Sequence, residues 1–190
     1  MELLDYILHF GDVLSTVDHR RLLEICRGIE FPEYKIGYDK DAMYDMHGHR
    51  SQILLSEADT ELYNLVHKIM IKVMPKIYKG YSHINPPNPP VFDKYSGYWL
   101  CKYPEGGYLS SHTDADGDAG SVTVSYIIND DYEGGEVVFW DKHKLDKHEN
   151  SVHVYPSNFL YPHKVNTVTK GVRYSIIVWF SYQKGEQWLI

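Results

Sequence analysis

His112 and Asp114 stand two residues apart in the segment Ser110-Ser111-His112-Thr113-Asp114. In an extended strand side chains alternate, so this imidazole and this carboxylate point to one face and can share a ligand. Such a pair carries little information in a chain with 11 histidines, and a third partner decides its meaning. His163 supplies one, 49 residues after Asp114, in Phe159-Leu160-Tyr161-Pro162-His163. Two neutral imidazoles and one carboxylate on one side of a metal make the facial triad suited to non-heme Fe(II), with the opposite positions open to cosubstrate and dioxygen. Arg173 follows ten residues later, at the start of a strand rich in apolar residues: Tyr174, Ile176, Val178, Trp179 and Phe180. A guanidinium buried there needs an anion, and a carboxylate accepts its planar fork through two parallel hydrogen bonds.

Residues so far apart in sequence meet only if a β scaffold folds them together. From Val91 onward, short runs rich in Val, Ile, Tyr, Phe and Trp alternate with turn residues. Strands are expected over 98–103, 108–114, 121–128, 136–140, 151–155, 158–161 and 173–182, with turns at Gly106-Gly107, Asp116-Gly117, Glu133-Gly134-Gly135 and Pro156-Ser157. This density of short strands indicates a sandwich or jelly roll. Upstream, Ser15-Thr16 opens a short helix carrying Leu22, Leu23 and Cys26 toward Gly28. A longer helix is expected from Ser56, with Asp59 completing its cap, through Leu62, Leu65, Val66, Ile69, Val73 and Ile77. Pro75 is expected to kink or shorten it. Residues 34–52 show no period and read as a surface loop or ragged strand pair, and Pro86-Pro87-Asn88-Pro89-Pro90 reads as a connector. The expected fold class is α+β. N-terminal helices (1–90) pack on a double-stranded β-helix (91–190), the two forming one domain.

Composition narrows the function. The chain has 190 residues, 43% hydrophobic and 24% charged, which suits a globular protein with one core. Its net charge of -7 gives no general field toward nucleic acid or an anionic bilayer. No apolar run approaches a membrane span, and Glu2 and Asp5 stand where a secretory signal carries positive charge. Cys26 and Cys101 cannot build a disulfide framework or a cysteine zinc site by themselves, which agrees with a reducing compartment. A cytoplasmic location without membrane or nucleic-acid partners is expected.

The β half resembles the prolyl 4-hydroxylase branch of the Fe(II)/2-oxoglutarate-dependent dioxygenases. Tyr103-Pro104-Glu105-Gly106-Gly107-Tyr108 before His112-Thr113-Asp114 resembles that family's lead-in to its His-x-Asp. Val122 to Asn129, then Asp131-Tyr132-Glu133-Gly134-Gly135-Glu136, is similar to its strand and Tyr-x-Gly-Gly-Glu turn. Tyr155-Pro156-Ser157-Asn158 through His163 resembles its Pro-x-x-Gly segment and distal histidine, with Asn158 where glycine is usual. Asparagine also tolerates a left-handed backbone. Gly171-Val172-Arg173-Tyr174-Ser175 with Trp179 resembles the closing cosubstrate strand, with arginine where collagen-type members carry lysine. The resemblance covers about residues 95–182. It implies that His112, Asp114 and His163 bind Fe(II), and that Arg173 holds the distal carboxylate of 2-oxoglutarate with Tyr126 beside it. It places Tyr103 near cosubstrate and iron, and gives Trp179 the role of a packing wall. The implied reaction consumes O2 and 2-oxoglutarate, releases succinate and CO2, and hydroxylates a C–H bond, with ascorbate as reductant. Proline in a peptide or protein is the substrate the resemblance favours, and a free amino acid or another small molecule stays open.

Other readings are weaker. Asp114, Asp116 and Asp118 alternate as calcium-loop carboxylates do, but Ala119 and Ser125 occupy the positions where an EF-hand needs glycine and glutamate. His143, His148 and His153 recur at an interval that suits neither a helix face nor a strand face, so 141–150 reads as a solvated loop. His47 and His49 could share a strand face, without further carboxylates to complete a metal site beyond Asp45. A jelly-roll sensor of iron or 2-oxoglutarate keeps the fold and loses the reaction. A nucleic-acid demethylase lacks the second arginine expected between His163 and Arg173.

Overall fold

The structure is a computed structural model that describes residues 2–32, 48–58, 60–83, 92, 94–114 and 122–181, and the backbone of 35–36. The Asp116-Gly117 turn, Asp118, the proline-rich connector, His47 and most of the 34–52 stretch lie outside the described residues.

In chain order the strands are β1 (Leu8–Phe10), β2 (Lys35–Ile36), β3 (Gly48–His49), β4 (Ser51–Leu54), β5 (Lys94–Tyr95), β6 (Trp99–Tyr103), β7 (Tyr108–His112) and β8 (Val122–Ile127). There follow β9 (Glu133–Gly134), β10 (Val137–Phe139), β11 (His143–Lys144), β12 (Ser151–Pro156), β13 (His163–Val165), β14 (Val168–Lys170) and β15 (Arg173–Ser181). A major antiparallel sheet runs β1-β12-β8-β15-β6-β4, with β5 pairing the end of β15. A minor sheet runs β11-β10-β13-β7-β3-β2, and β9 with β14 forms a separate ribbon. The described strands thus make a double-stranded β-helix, and two helices, α1 (Thr16–Gly28) and α2 (Thr60–Tyr81), lie on the outer face of the major sheet.

The helices form where the apolar stripe and the caps coincide. The Ser15 hydroxyl accepts from the Asp18 amide and starts α1, which buries Leu22 and Cys26. α2 buries Leu62, Leu65, Val66, Ile69, Met70, Val73, Ile77 and Tyr81 along one side. It begins at Thr60 and not at Ser56, whose hydroxyl instead accepts from the Ala58 amide in the preceding turn. Pro75 does not shorten it. The helix continues to Tyr81, because packing of its apolar stripe on Val124, Val152, Val154 and Val178 outweighs the one missing amide.

Two further expectations change. The segment 158–161 is a turn, with the Tyr161 amide bonded to the Asn158 carbonyl, and the strand follows it at His163–Val165. The first ninety residues are also more than helical support. β1 and β4 form the two edges of the major sheet, and β2 and β3 extend the minor one. Their shortness and ragged spacing conceal the period-2 pattern. One turn needs its glycines: Gly134 and Gly135 have φ of +73° and +66°, and a Cβ on Gly134 would lie 2.2 Å from the Thr167 carbonyl oxygen.

Candidate active site

A cleft open to solvent lies between the two sheets, lined by Arg50, Tyr103, His112, Asp114, His163 and Arg173 among others. Register brings its chemistry together. His112 ends β7 and His163 begins β13, and the two are direct cross-strand partners with ring centroids 4.4 Å apart. Asp114 follows just past the end of β7. Its Oδ1 is 3.4 Å from His112 Nε2 and its Oδ2 is 3.5 Å from His163 Nε2. The three ligand atoms all lie within 4.8 Å of one another.

The supporting bonds aim these atoms inward. His112 Nδ1 donates to the Ser110 carbonyl at 2.8 Å and His163 Nδ1 donates to the Tyr161 carbonyl at 3.1 Å. Both Nε2 atoms therefore carry their lone pairs toward the cleft. Thr123, on β8, donates to Asp114 Oδ2 at 2.7 Å, and the Ser157 hydroxyl lies 2.9 Å from Thr123 Oγ1. Burial pushes the His163 imidazole toward its neutral form. Burial works against the Asp114 charge, but His163, His112 and the Thr123 hydroxyl outweigh it and hold this carboxyl well below the usual carboxylate range. A neutral imidazole and an ionised carboxylate are the forms a divalent metal takes.

Arg173 sits farther along the inner face of the major sheet, 2% exposed. Its Nη1 donates to Ser175 Oγ at 3.0 Å, and its guanidinium lies 4.8 Å from the Tyr103 ring centroid, Tyr103 being its partner on β6. Among the described residues no carboxylate lies within ion-pairing distance of it. A buried guanidinium left so fits an incoming carboxylate. The donor set and this cation together fit Fe(II) and a keto dicarboxylate.

Tyr103 also lines the cleft, as does Trp179. Tyr126 does not, which corrects its expected place beside the cosubstrate. Along β8, Thr123 and Ser125 face the cleft side, whereas Val122, Val124 and Tyr126 join the core under the helices. The Tyr126 hydroxyl lies 2.8 Å from His19 Nδ1 and donates to Asn150 Oδ1 at 3.0 Å. It is a buried tie between α1, β8 and the 141–150 segment. Two cleft residues escaped the sequence reading. Tyr155 on β12 brings its hydroxyl to 3.4 Å from His163 Nε2, and Arg50, between β3 and β4, donates from Nη1 to the Tyr103 hydroxyl at 3.0 Å. Tyr155 was visible only as the first residue of a turn motif, and Arg50 lay in a stretch without period. The 141–150 segment is not a solvated loop throughout: His143 lies half-buried on β11 beside Trp140, Leu145 and Asn150 are buried, and His148 is exposed, while His153 is buried on β12 against His9.

A double-stranded β-helix thus carries a His-Asp-His cluster in its cleft and a buried arginine on the neighbouring sheet, an arrangement that suits a divalent metal and a carboxylate ligand. Residues 98–181 match the model of the 2OG-Fe(II) oxygenase superfamily. A PKHD-type hydroxylase of Alteromonas mediterranea is 39% identical over 70 residues, 35% of this chain and 30% of the relative. The PKHD-type hydroxylase PiuC of Pseudomonas aeruginosa is 32% identical over 105 residues, 48% of this chain and 42% of the relative. The chain thus spans less than half the length of these curated relatives. Among solved structures, a prolyl hydroxylase from Trichoplax adhaerens, in complex with a hypoxia inducible factor peptide fragment, superposes with a TM-score of 0.67 at 16% identity, covering 95% of this chain and 85% of that one. A Pseudomonas putida prolyl-4-hydroxylase gives 0.64 at 16% identity, covering 94% and 93%. These two likenesses establish the shared fold.

Proposed function

We propose that this protein is an Fe(II)- and 2-oxoglutarate-dependent dioxygenase that hydroxylates a C–H bond of proline in a peptide or protein, releasing succinate and CO2. The observation that carries the proposal is the convergence of two lone-paired Nε2 atoms and an ionised carboxylate beside a buried arginine that has no anionic partner among the described residues. His112, Asp114 and His163 would hold the iron, and Arg173 would hold the far carboxylate of 2-oxoglutarate. When bound, the metal and keto acid supply the oxidising power by decarboxylation of the keto acid with dioxygen. The chain supplies everything else. The carbonyls of Ser110 and Tyr161 fix the imidazole tautomers, and Thr123 fixes the carboxylate. Arg173 sets the direction in which the keto acid lies. Tyr103, Tyr155 and Trp179 wall the cleft and limit water at the reacting centre.

The choice of proline is supported by the prolyl hydroxylases among the solved structures of the same fold, one of them in complex with a peptide fragment. Ascorbate as reductant and a cytoplasmic location belong to the same proposal. Among the described residues no helix is long and apolar enough to cross a membrane. The test incubates the protein with Fe(II), 2-oxoglutarate, ascorbate and a proline-containing peptide library, with mass spectrometry as readout. A gain of one oxygen on proline, matched by succinate, is expected. Succinate without an oxidised peptide would remove the peptide substrate, and no succinate would remove the reaction.

A further inference from the structure

Arg50 is a second buried cation in the same cleft, and nothing in the reaction outlined above uses it. It stands where the chain crosses from one sheet to the other. Gly48 and His49 pair with Leu109 and Tyr108 in the minor sheet, while Ser51 pairs with Lys102 in the major one. Its side chain is 8% exposed and lines the cleft. Nη1 is held by the Tyr103 hydroxyl, but Nε is buried without a hydrogen-bond partner, and among the described residues Arg50 has no carboxylate within ion-pairing distance. Two other polar atoms on the inner face are in the same condition. Trp179 Nε1, also in the cleft wall, and Gln52 Oε1, two residues farther along β4, are buried without partners. Ile53 packs against the helix-side core, so Gln52 projects with Arg50 from the opposite face.

Charge decides what such a group is for. A divalent metal and Arg173 together carry as much positive charge as Asp114 and a dianionic keto acid carry negative charge. Among the described residues Arg50 leaves the filled cleft one positive charge in excess, and a buried uncompensated cation is costly. Buried polar atoms without partners are rare in folded proteins and mark places where a ligand completes the bonding.

We infer that Arg50 docks a carboxylate on the molecule to be hydroxylated, so that this enzyme selects acidic substrates, with Gln52 and the Trp179 indole completing the contact. The inference rests on the oxygenase reading of the cleft and specifies its substrate class. The carboxylate has two possible sources, the α-carboxylate of a free amino acid or an acidic side chain next to the reacting residue of a peptide.

The experiment measures binding without turnover, by calorimetry on the full chain loaded with Ni(II) and 2-oxoglutarate. The probes are L-proline against L-prolinamide, and blocked peptides carrying Pro-Asp against the same peptides carrying Pro-Asn. One acidic probe is expected to bind about ten- to a hundredfold more tightly than its neutral partner, and which pair shows the difference identifies the source of the carboxylate. Arg50→Gln is expected to abolish that difference while changing 2-oxoglutarate affinity less than threefold. Arg50→Lys, which keeps the charge, should retain part of it, and it serves as the reporter if the glutamine variant does not fold. Acidic and neutral probes binding alike, or no acidic probe binding, would overturn the inference. So would a loss of 2-oxoglutarate affinity in Arg50→Gln as large as in Arg173→Gln, which would assign Arg50 to the cosubstrate. Succinate release by the Fe(II)-loaded wild-type protein is read separately, so absence of the reaction is distinguished from a wrong substrate class.

Discussion

The two faces of the major sheet are built from the same strands and do opposite work. On β8, Val122, Val124 and Tyr126 turn toward the helices, and Thr123 and Ser125 turn toward the cleft. The outer face is a dry core in which even the polar tip of Tyr126 is bonded on both sides, to His19 and Asn150. The inner face is polar and incomplete: among the described residues, its two arginines have no carboxylate partner and an indole N–H has no acceptor. One strand can serve both because its side chains alternate. The comparison teaches that stability is stored on one face and that the other is free to keep groups waiting for a ligand.

Mutations should separate these roles. The largest effect is expected on the inner face. His112→Ala, Asp114→Ala or His163→Ala should reduce succinate formation by at least about a thousandfold, as loss of a metal ligand removes the reacting centre, while circular dichroism and melting stay near the parent. On the outer face, Ile69→Ala should cost about 2–5 kcal/mol in urea unfolding, because Ile69 is fully buried in the helix–sheet core, and the folded fraction should keep its Michaelis constant for 2-oxoglutarate. A variant on either face that altered both properties would break the comparison. Arg173→Lys should raise that Michaelis constant about 10- to 150-fold, since lysine keeps the charge but not the fork, while iron affinity hardly changes. Tyr126→Phe gives the smallest effect and the sharpest one. It should lower stability by about 1–2 kcal/mol through loss of its hydrogen bonds to Asn150 and His19, with the 2-oxoglutarate Michaelis constant within twofold of the parent.

The inner face was the more legible one where its residues have distinctive chemistry. His112, Asp114, His163 and Arg173 stand out by type and spacing, and strand register then brings them together as an alternating pattern implies. The helices were legible from their apolar stripes, as in Leu62 to Ile77. What failed did so for physical reasons. Tyr126 was placed by its likeness to a motif tyrosine, although the alternation of Val122, Val124 and Tyr126 against Thr123 and Ser125 already put it on the apolar face. β1, β3 and β4 are too short to show a period, so the sheet edges and Arg50 with them were hidden. Pro75 does not end α2, which runs on to Tyr81, because a rule for isolated helices yields to tertiary packing.

The central claim is that the cleft closed by β7 and β13 is a metal site completed by 2-oxoglutarate. Its most direct test is anaerobic Fe(II) binding to the wild-type protein and to Asp114→Ala, each with and without 2-oxoglutarate. The wild type should take up one iron per chain, bound more tightly when the keto acid is present, and Asp114→Ala should bind iron at least about tenfold more weakly in both conditions. Equal iron uptake by the two proteins, or an iron affinity indifferent to 2-oxoglutarate, would contradict the account.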